Sequence, residues 1–320
     1  MCRSVCAFAG LALAVFACGG RVTLEVPAEP PPPAVLADVW IDPGSTPRDL
    51  FWGIGGQEYA PKPDAIYTIK QRDASGFSVS YDLVDQDGVE WSAKLGPEAQ
   101  TETAVSRILW GLGYHQPPLY YVPTWKAANP GDEADLGGEA RLRPHLKRLK
   151  HLDEPWRWTD NPFLGATEFR GMLVVMLMLN STDLKDSNNA VYQIDGSWDG
   201  ATRWFLVRDV GAALGQTGKL YPRRNWIDGF ERQGFIKSVE GRRVTFDYNG
   251  LHQEILGMIA PEDVRWAAER LQRLTDAQWR DAFRAGGYDE AATERYVRRI
   301  KEKIDDGLAL RVDARFARAG

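Results

Sequence analysis

Strand-forming segments crowd the first half of this chain's body and helix-forming segments the second, and that order limits the fold more than any other feature. Residues 66–70, 77–84 and 89–95 alternate apolar and polar side chains to different degrees, and Gln86-Asp87-Gly88 marks a turn between the last two. Gly96-Pro97 ends the third strand and opens a helix predicted over 98–112, with Ala99, Val105, Ile108, Leu109 and Leu112 as its apolar positions and Gly113 as its stop. Residues 119–123 read as a further strand and 139–151 as a helix. An apolar helix follows at 164–179. Two hairpins are expected near 190–208 and 235–248, and helices over 261–274, 275–285 and 289–308. Strands first and helices later imply an α+β fold.

The length of 320 residues suits one or two domains. With 44% hydrophobic and 26% charged residues the composition is globular, which excludes a disordered, collagen-like or polytopic membrane chain. A net charge of −5 offers no global attraction to nucleic acid, and no nucleic-acid partner is expected. The cysteines are Cys2, Cys6 and Cys18, so no disulfide and no cysteine-based metal site can form in the body. His115, His145, His151 and His252 lack ligand spacing.

The N-terminus reads as a targeting segment. Arg3 precedes an apolar run over residues 5–17, too short to span a bilayer. The run ends in Val15-Phe16-Ala17-Cys18, which resembles a bacterial lipoprotein signal with Cys18 as the lipidated residue. The expectation is a signal at 1–17 and a lipid-anchored, Pro-rich linker at 18–48, holding the protein on the cell envelope, facing periplasm or exterior.

Chemistry concentrates where the 164–179 helix ends. Asp183-x-Lys185-x-x-Asn188 places a carboxylate, a cation and an oxygen ligand at the spacing of a kinase catalytic loop. Asp183 suits the acceptance of a hydroxyl proton, Lys185 the charge of a moving phosphate, and Asn188 a divalent metal. Arg208-Asp209-Val210-Gly211 closes the following hairpin at the position of a second metal-binding aspartate. Upstream, Lys94 stands at the end of the third strand, ready for nucleotide phosphates. Glu102, or else Glu98, on the next helix is placed to orient it.

These residues together resemble the protein-kinase-like superfamily over about 65–310, in its atypical branches (HipA-like, CotH-like, Fam20-like and phosphatidylinositol-4-kinase-like). The resemblance implies two lobes: a small antiparallel sheet with one helix at 49–125 and a mainly helical lobe at 126–320. It implies ATP with Mg²⁺ or Mn²⁺ between the lobes and phosphoryl transfer to a hydroxyl acceptor on a protein, lipid or sugar. Asp183 and Lys185 would be catalytic, Lys94, Glu102, Ser75 and Gly76 nucleotide-binding, and Asn188 and Asp209 metal-binding. The chain departs from the family in three places. The only phosphate-covering loop is Asp73–Ser78, Ser181-Thr182 precedes Asp183 where His-Arg is usual, and no Ala-Pro-Glu follows Asp209. Two rival readings are a catalytically inactive kinase-like binding module and a cell-wall or carbohydrate-binding lipoprotein, the latter drawing on 12 Trp and 11 Tyr. The cluster Arg141–Lys150 reads as a solvated charged face.

Overall fold

The computed structural model of the chain describes residues 27, 29–129, 137–153, 156–218, 222–250 and 252–311. The expected signal and Cys18 lie outside the described residues. Strands β1 (Ile66–Asp73), β2 (Ser80–Asp85), β3 (Glu90–Leu95), β4 (Tyr120–Val122), β5 (Lys126–Ala127) and β6 (Ala140–Pro144) form one sheet in the order β4-β6-β3-β2-β1-β5. All pairs are antiparallel except β1–β5. One face buries Tyr67, Tyr81, Leu83, Trp91, Ala93 and Leu142 around Trp125. The opposite face carries the polar residues of the same alternation, among them Ser92 and Lys94.

The sheet corrects three expectations. Residues 139–151 form no helix: they supply β6 and then β7 (Leu149–Leu152). Ala140-Arg141-Leu142-Arg143 has period two, and its apolar members enter the sheet core. Arg141 and Arg143 are therefore buried and not on a solvated face. The first lobe also extends past residue 125, to Pro144.

Helix α2 (Glu98–Gly111) follows β3 and is buried along most of its length. It stops where Gly113 adopts φ +102°, and a side chain there would strike the Ile41 carbonyl. The second lobe begins with β7 pairing with β8 (Asn189–Trp198), which pairs with β9 (Ala201–Val207). Helices α3 (Thr167–Met178), α4 (Ile227–Arg232), α5 (Pro261–Gln272), α6 (Asp276–Ala285) and α7 (Glu290–Leu308), with a hairpin of β10 (Ile236–Glu240) and β11 (Arg243–Phe246), complete it. Ala104, Val105, Ile108 and Leu109 of α2 share one core with α3, α5, α6 and α7, so the helix joins the lobes.

A fourth correction concerns residues 33–48, expected as linker. They fold onto the body from the short helix α1 (Pro33–Leu36) onward. The proline run ends there, and Val39 and Trp40 supply apolar surface that the main core takes up. Trp40 donates Nε1–H to Leu112 O at 2.8 Å, Ile41 N–H donates to Gly113 O, and Phe205 N–H donates to Asp38 O at 2.7 Å. The segment thus straps the end of α2 to β9.

Candidate active site

Strand register decides what faces the space between the lobes. Lys94 lies opposite Ser80 on β2 and opposite Arg141 on β6, and Ser92 lies opposite Arg143. Helix α2 runs beneath this row. Its first turn brings Glu98 Oε2 to 2.9 Å from Lys94 Nζ, and its second brings Glu102 Oε2 to 3.6 Å. Glu98 is thus the nearer partner of Lys94. It also accepts from Ser78 Oγ at 3.0 Å and pairs with Arg224 Nε at 3.0 Å. Glu102 Oε1 sits 2.7 Å from Arg143 and 3.1 Å from Arg141, with almost no exposure.

The 180–188 loop is stitched to the 208–214 segment by backbone bonds. Arg208 N–H donates to Asn188 O at 2.7 Å, Thr182 N–H to Ala212 O at 2.9 Å, and Leu214 N–H to Leu179 O at 2.9 Å. At the root of the loop, the buried Lys303 donates to Met178 O and to Asn180 Oδ1 at 2.9 and 2.7 Å. Within the loop, Lys185 Nζ lies 3.1 Å from Asp183 Oδ2, and Asn188 Nδ2–H donates to Asp183 O at 3.0 Å. Asp209 takes φ +50°, a left-handed backbone that a non-glycine residue adopts only at a cost. Its Oδ1 lies 3.3 Å from Lys94 Nζ, so the two lobes meet at this pair. Gly211 lets α2 approach: a Cβ there would stand 2.8 Å from the Cβ of Glu98.

One cleft of about 320 Å³ takes in Lys94, Glu98, Asp183, Lys185, Asn188 and Asp209, with Ser75 and Gly76 of the β1–β2 loop along its rim. Glu102 stands behind this lining. Burial raises the Asp209 carboxyl, but Lys94, Arg143, Arg141 and Arg208 outweigh burial and hold it far below the usual carboxylate range. Burial lowers the Lys94 ammonium, and Glu102, Asp209 and Glu98 reverse this, so it stays charged. Burial likewise raises Glu102, while Arg141, Lys94 and Arg143 bring it below its ordinary value.

Among the described residues, no three His, Cys, Asp or Glu side chains converge as a metal cage. Asp209 and Asn188 offer hard oxygen ligands to the same cleft, and the amide nitrogen of Asn188 is already spent on Asp183 O. That donor set fits Mg²⁺ or Mn²⁺ completing its shell from phosphate and water. His115 lies away from this site. It stacks on Trp204 with centroids 5.2 Å apart and bonds Ala37 O through Nε2 at 2.8 Å, as a core histidine.

Arg141 and Arg143, read from the sequence as part of a solvated cluster, and Arg208 and Arg224, given no role there, also line the cleft. The alternation of 140–143 was a signal for the first two. Nothing local marks Arg224, which arrives by tertiary contact.

The chain is thus an antiparallel sheet with one buried helix, set over a helical lobe with a polar cleft between them, the two-lobed α+β arrangement expected from the sequence. Among solved structures the chain is similar to a Helicobacter pylori proinflammatory kinase, CtkA, with 13% identity and TM-score 0.46, over 77% of this chain and 98% of that one. It is also similar to the Leishmania major MAP kinase LmaMPK10, with 12% identity and TM-score 0.21, over 76% and 94%. No family model and no curated protein matches the sequence.

Proposed function

We propose that this protein is an atypical kinase-like phosphotransferase that uses ATP and a divalent metal to phosphorylate a hydroxyl acceptor. We further propose that it works outside the cytoplasm, held to a membrane through lipid on Cys18. The observation that carries the catalytic reading is that Lys94, Asp183, Lys185, Asn188 and Asp209 line a single cleft although they come from three separate segments. In the proposed reaction the acceptor oxygen bonds to the γ-phosphorus, the bond from that phosphorus to the bridging oxygen breaks, and the hydroxyl proton passes to Asp183. Lys185 offsets charge beside Asp183, and Lys94, held by Glu98, binds the donor's phosphates. Asn188 and Asp209 would hold the Mg²⁺ or Mn²⁺, which neutralises phosphate charge.

The test is transfer of labelled γ-phosphate by the full chain and by Asp183→Ala. Loss of a general base should lower transfer by about 10²-fold or more while ATP binding, read by thermal melting, persists. Undiminished transfer in Asp183→Ala would remove Asp183 from its role. A well-folded sample showing no nucleotide-dependent stabilisation and no transfer would remove the reading itself.

A further inference from the structure

The sheet face above the cleft carries charge where a site that grips a nucleobase carries apolar surface. By register, Ser80, Lys94 and Arg141 form one cross-strand row, and Asp82, Ser92 and Arg143 the next. Lys94 and Arg141 are therefore like charges placed directly opposite, which destabilises a sheet unless an anion is shared between them. Glu102 is that anion, at 2.7 Å from Arg143, 3.1 Å from Arg141 and 3.6 Å from Lys94, so the two arginines share one carboxylate while Lys94 also has Glu98 and Asp209. Arg141 meets Glu102 through Nε, and the Nε of Arg143 is buried without a hydrogen-bond partner. Arg208 continues the wall. Its Nε is also unpaired, and its guanidinium rests 3.4 Å from His151 with no carboxylate ion pair among the described residues.

Among the described residues, apolar lining is sparse. Phe77 and Ala212 provide it, and the guanidinium of Arg224 lies over the Phe77 ring at 3.7 Å. The connection from β6 to β7, residues 145–148, contributes no lining residue to this cleft. Such a wall rewards a chain of phosphates with charge-assisted bonds and offers a base little.

Resting on the kinase-like reading of the cleft, we infer that the site recognises its donor through the polyphosphate and not through the base. The ligand class is a metal-bound triphosphate chain, with or without a nucleoside attached. Lys94 and Arg141 would flank that chain from the sheet, and Arg208 from the second lobe.

Titration calorimetry on the full chain with Mg²⁺ distinguishes the outcomes, using ATP, GTP, inorganic tripolyphosphate and adenosine as probes. The expected result is that the first three bind with dissociation constants within about threefold of each other, while adenosine in large excess does not compete with ATP. Arg208→Gln, at a half-buried position outside the Glu102 cluster, should weaken ATP, GTP and tripolyphosphate alike, by about tenfold. ATP binding tenfold or more tighter than tripolyphosphate, with adenosine competing, would overturn base indifference and leave the nucleotide site intact. Unchanged tripolyphosphate affinity in Arg208→Gln would overturn the role of the arginine wall. Failure of all four probes with a folded sample would overturn the kinase-like reading as well.

Discussion

Glu98 and Glu102 lie one helical turn apart on α2, and the structure assigns them different consequences. Glu102 has 1% side-chain exposure and is the carboxylate on which both Arg141 and Arg143 depend. Glu102→Gln keeps the shape, removes the charge and leaves buried guanidinium groups uncompensated. Removing one partner of a buried ion pair costs about 3–5 kcal/mol. At about 2–4 °C per kcal/mol that is a fall in Tm of about 6–20 °C. Glu98 instead borders the cleft, and Lys94 retains Asp209 at 3.3 Å when Glu98 is neutralised. Glu98→Gln should therefore cost about 1–2 kcal/mol yet release Lys94 and depress phosphoryl transfer. Acid adds a second reading. Glu102 is held below its ordinary value of 4.5, so the stability it supplies is complete above about pH 4.5 and is lost as pH falls further toward its folded value. Glu102→Gln should remove that part of the acid sensitivity. Circular-dichroism melts at pH 7 and between pH 5 and 3, beside the transfer assay, decide the matter. A Glu98→Gln melt as low as that of Glu102→Gln, or a Glu102→Gln melt within 2 °C of wild type, a shift set by this scale of about 2–4 °C per kcal/mol, would refute the division of roles.

Gly211→Ala should lower transfer more than stability, because the new methyl meets the first turn of α2 at 2.8 Å and displaces Glu98 from Lys94; equal activity in the purified variant would sink this. Burial pushes His115 down to about 4, so the protein should lose stability as pH falls from 6.5 toward 4, by about 3 kcal/mol in all. His115→Phe, which retains a ring against Trp204, should flatten that slope in urea titrations, and an unchanged slope would assign it to other groups. Trp40→Ala should destabilise by about 3–5 kcal/mol, read as a lower urea midpoint. A loss under 1 kcal/mol would show that the 33–48 strap adds little to the core.

The parts of the fold that sequence made legible are those whose local pattern and tertiary role agree. The α2 boundaries follow from Pro97 and Gly113, and the three C-terminal helices from amphipathic spacing and from caps such as Thr275 and Asp289. The grouping of Asp183, Asn188 and Asp209 was legible because a helix end, a loop and a hairpin force them together over a short stretch of chain. Strand β6 was misread because its outward positions hold arginines, and charge in a strand signals exposure unless a buried anion from another element is known. Only the fold reveals that Glu102 waits beneath them. The same limit left the partner of Lys94 open between Glu102 and Glu98: both glutamates lie on the lysine side of α2, and it is the depth of the helix that makes Glu98 the nearer to Lys94 and gives Glu102 to the arginines.

The two sides of the lobe junction differ in kind. At the back, α2 and the strap pack Val39, Leu50, Val105, Ile108 and Leu109 into one continuous core with the helical lobe, and separating these surfaces would expose apolar area at about 25 cal/mol per Å². At the front, the sheet meets the helical lobe through Lys94 with Asp209, while Glu98 with Arg224, Gln100 with Asn225, and Thr101 with Tyr288 tie the start of α2 to that lobe. The Lys94–Asp209 pair can be exchanged for water at a net cost of about 1–3 kcal/mol. Opening of the cleft therefore has its low-cost direction at the front, with α2 as the fixed axle. Lys94 and Asp209 part first, and Glu98 stays with the helix. A ligand that bridges Lys94 and Asp209 would then oppose this opening directly, so hydrogen exchange at the β1–β2 loop should slow on binding while that of α2 stays unchanged. Faster exchange in α2 than in the β1–β2 loop, with or without ligand, would contradict the axle.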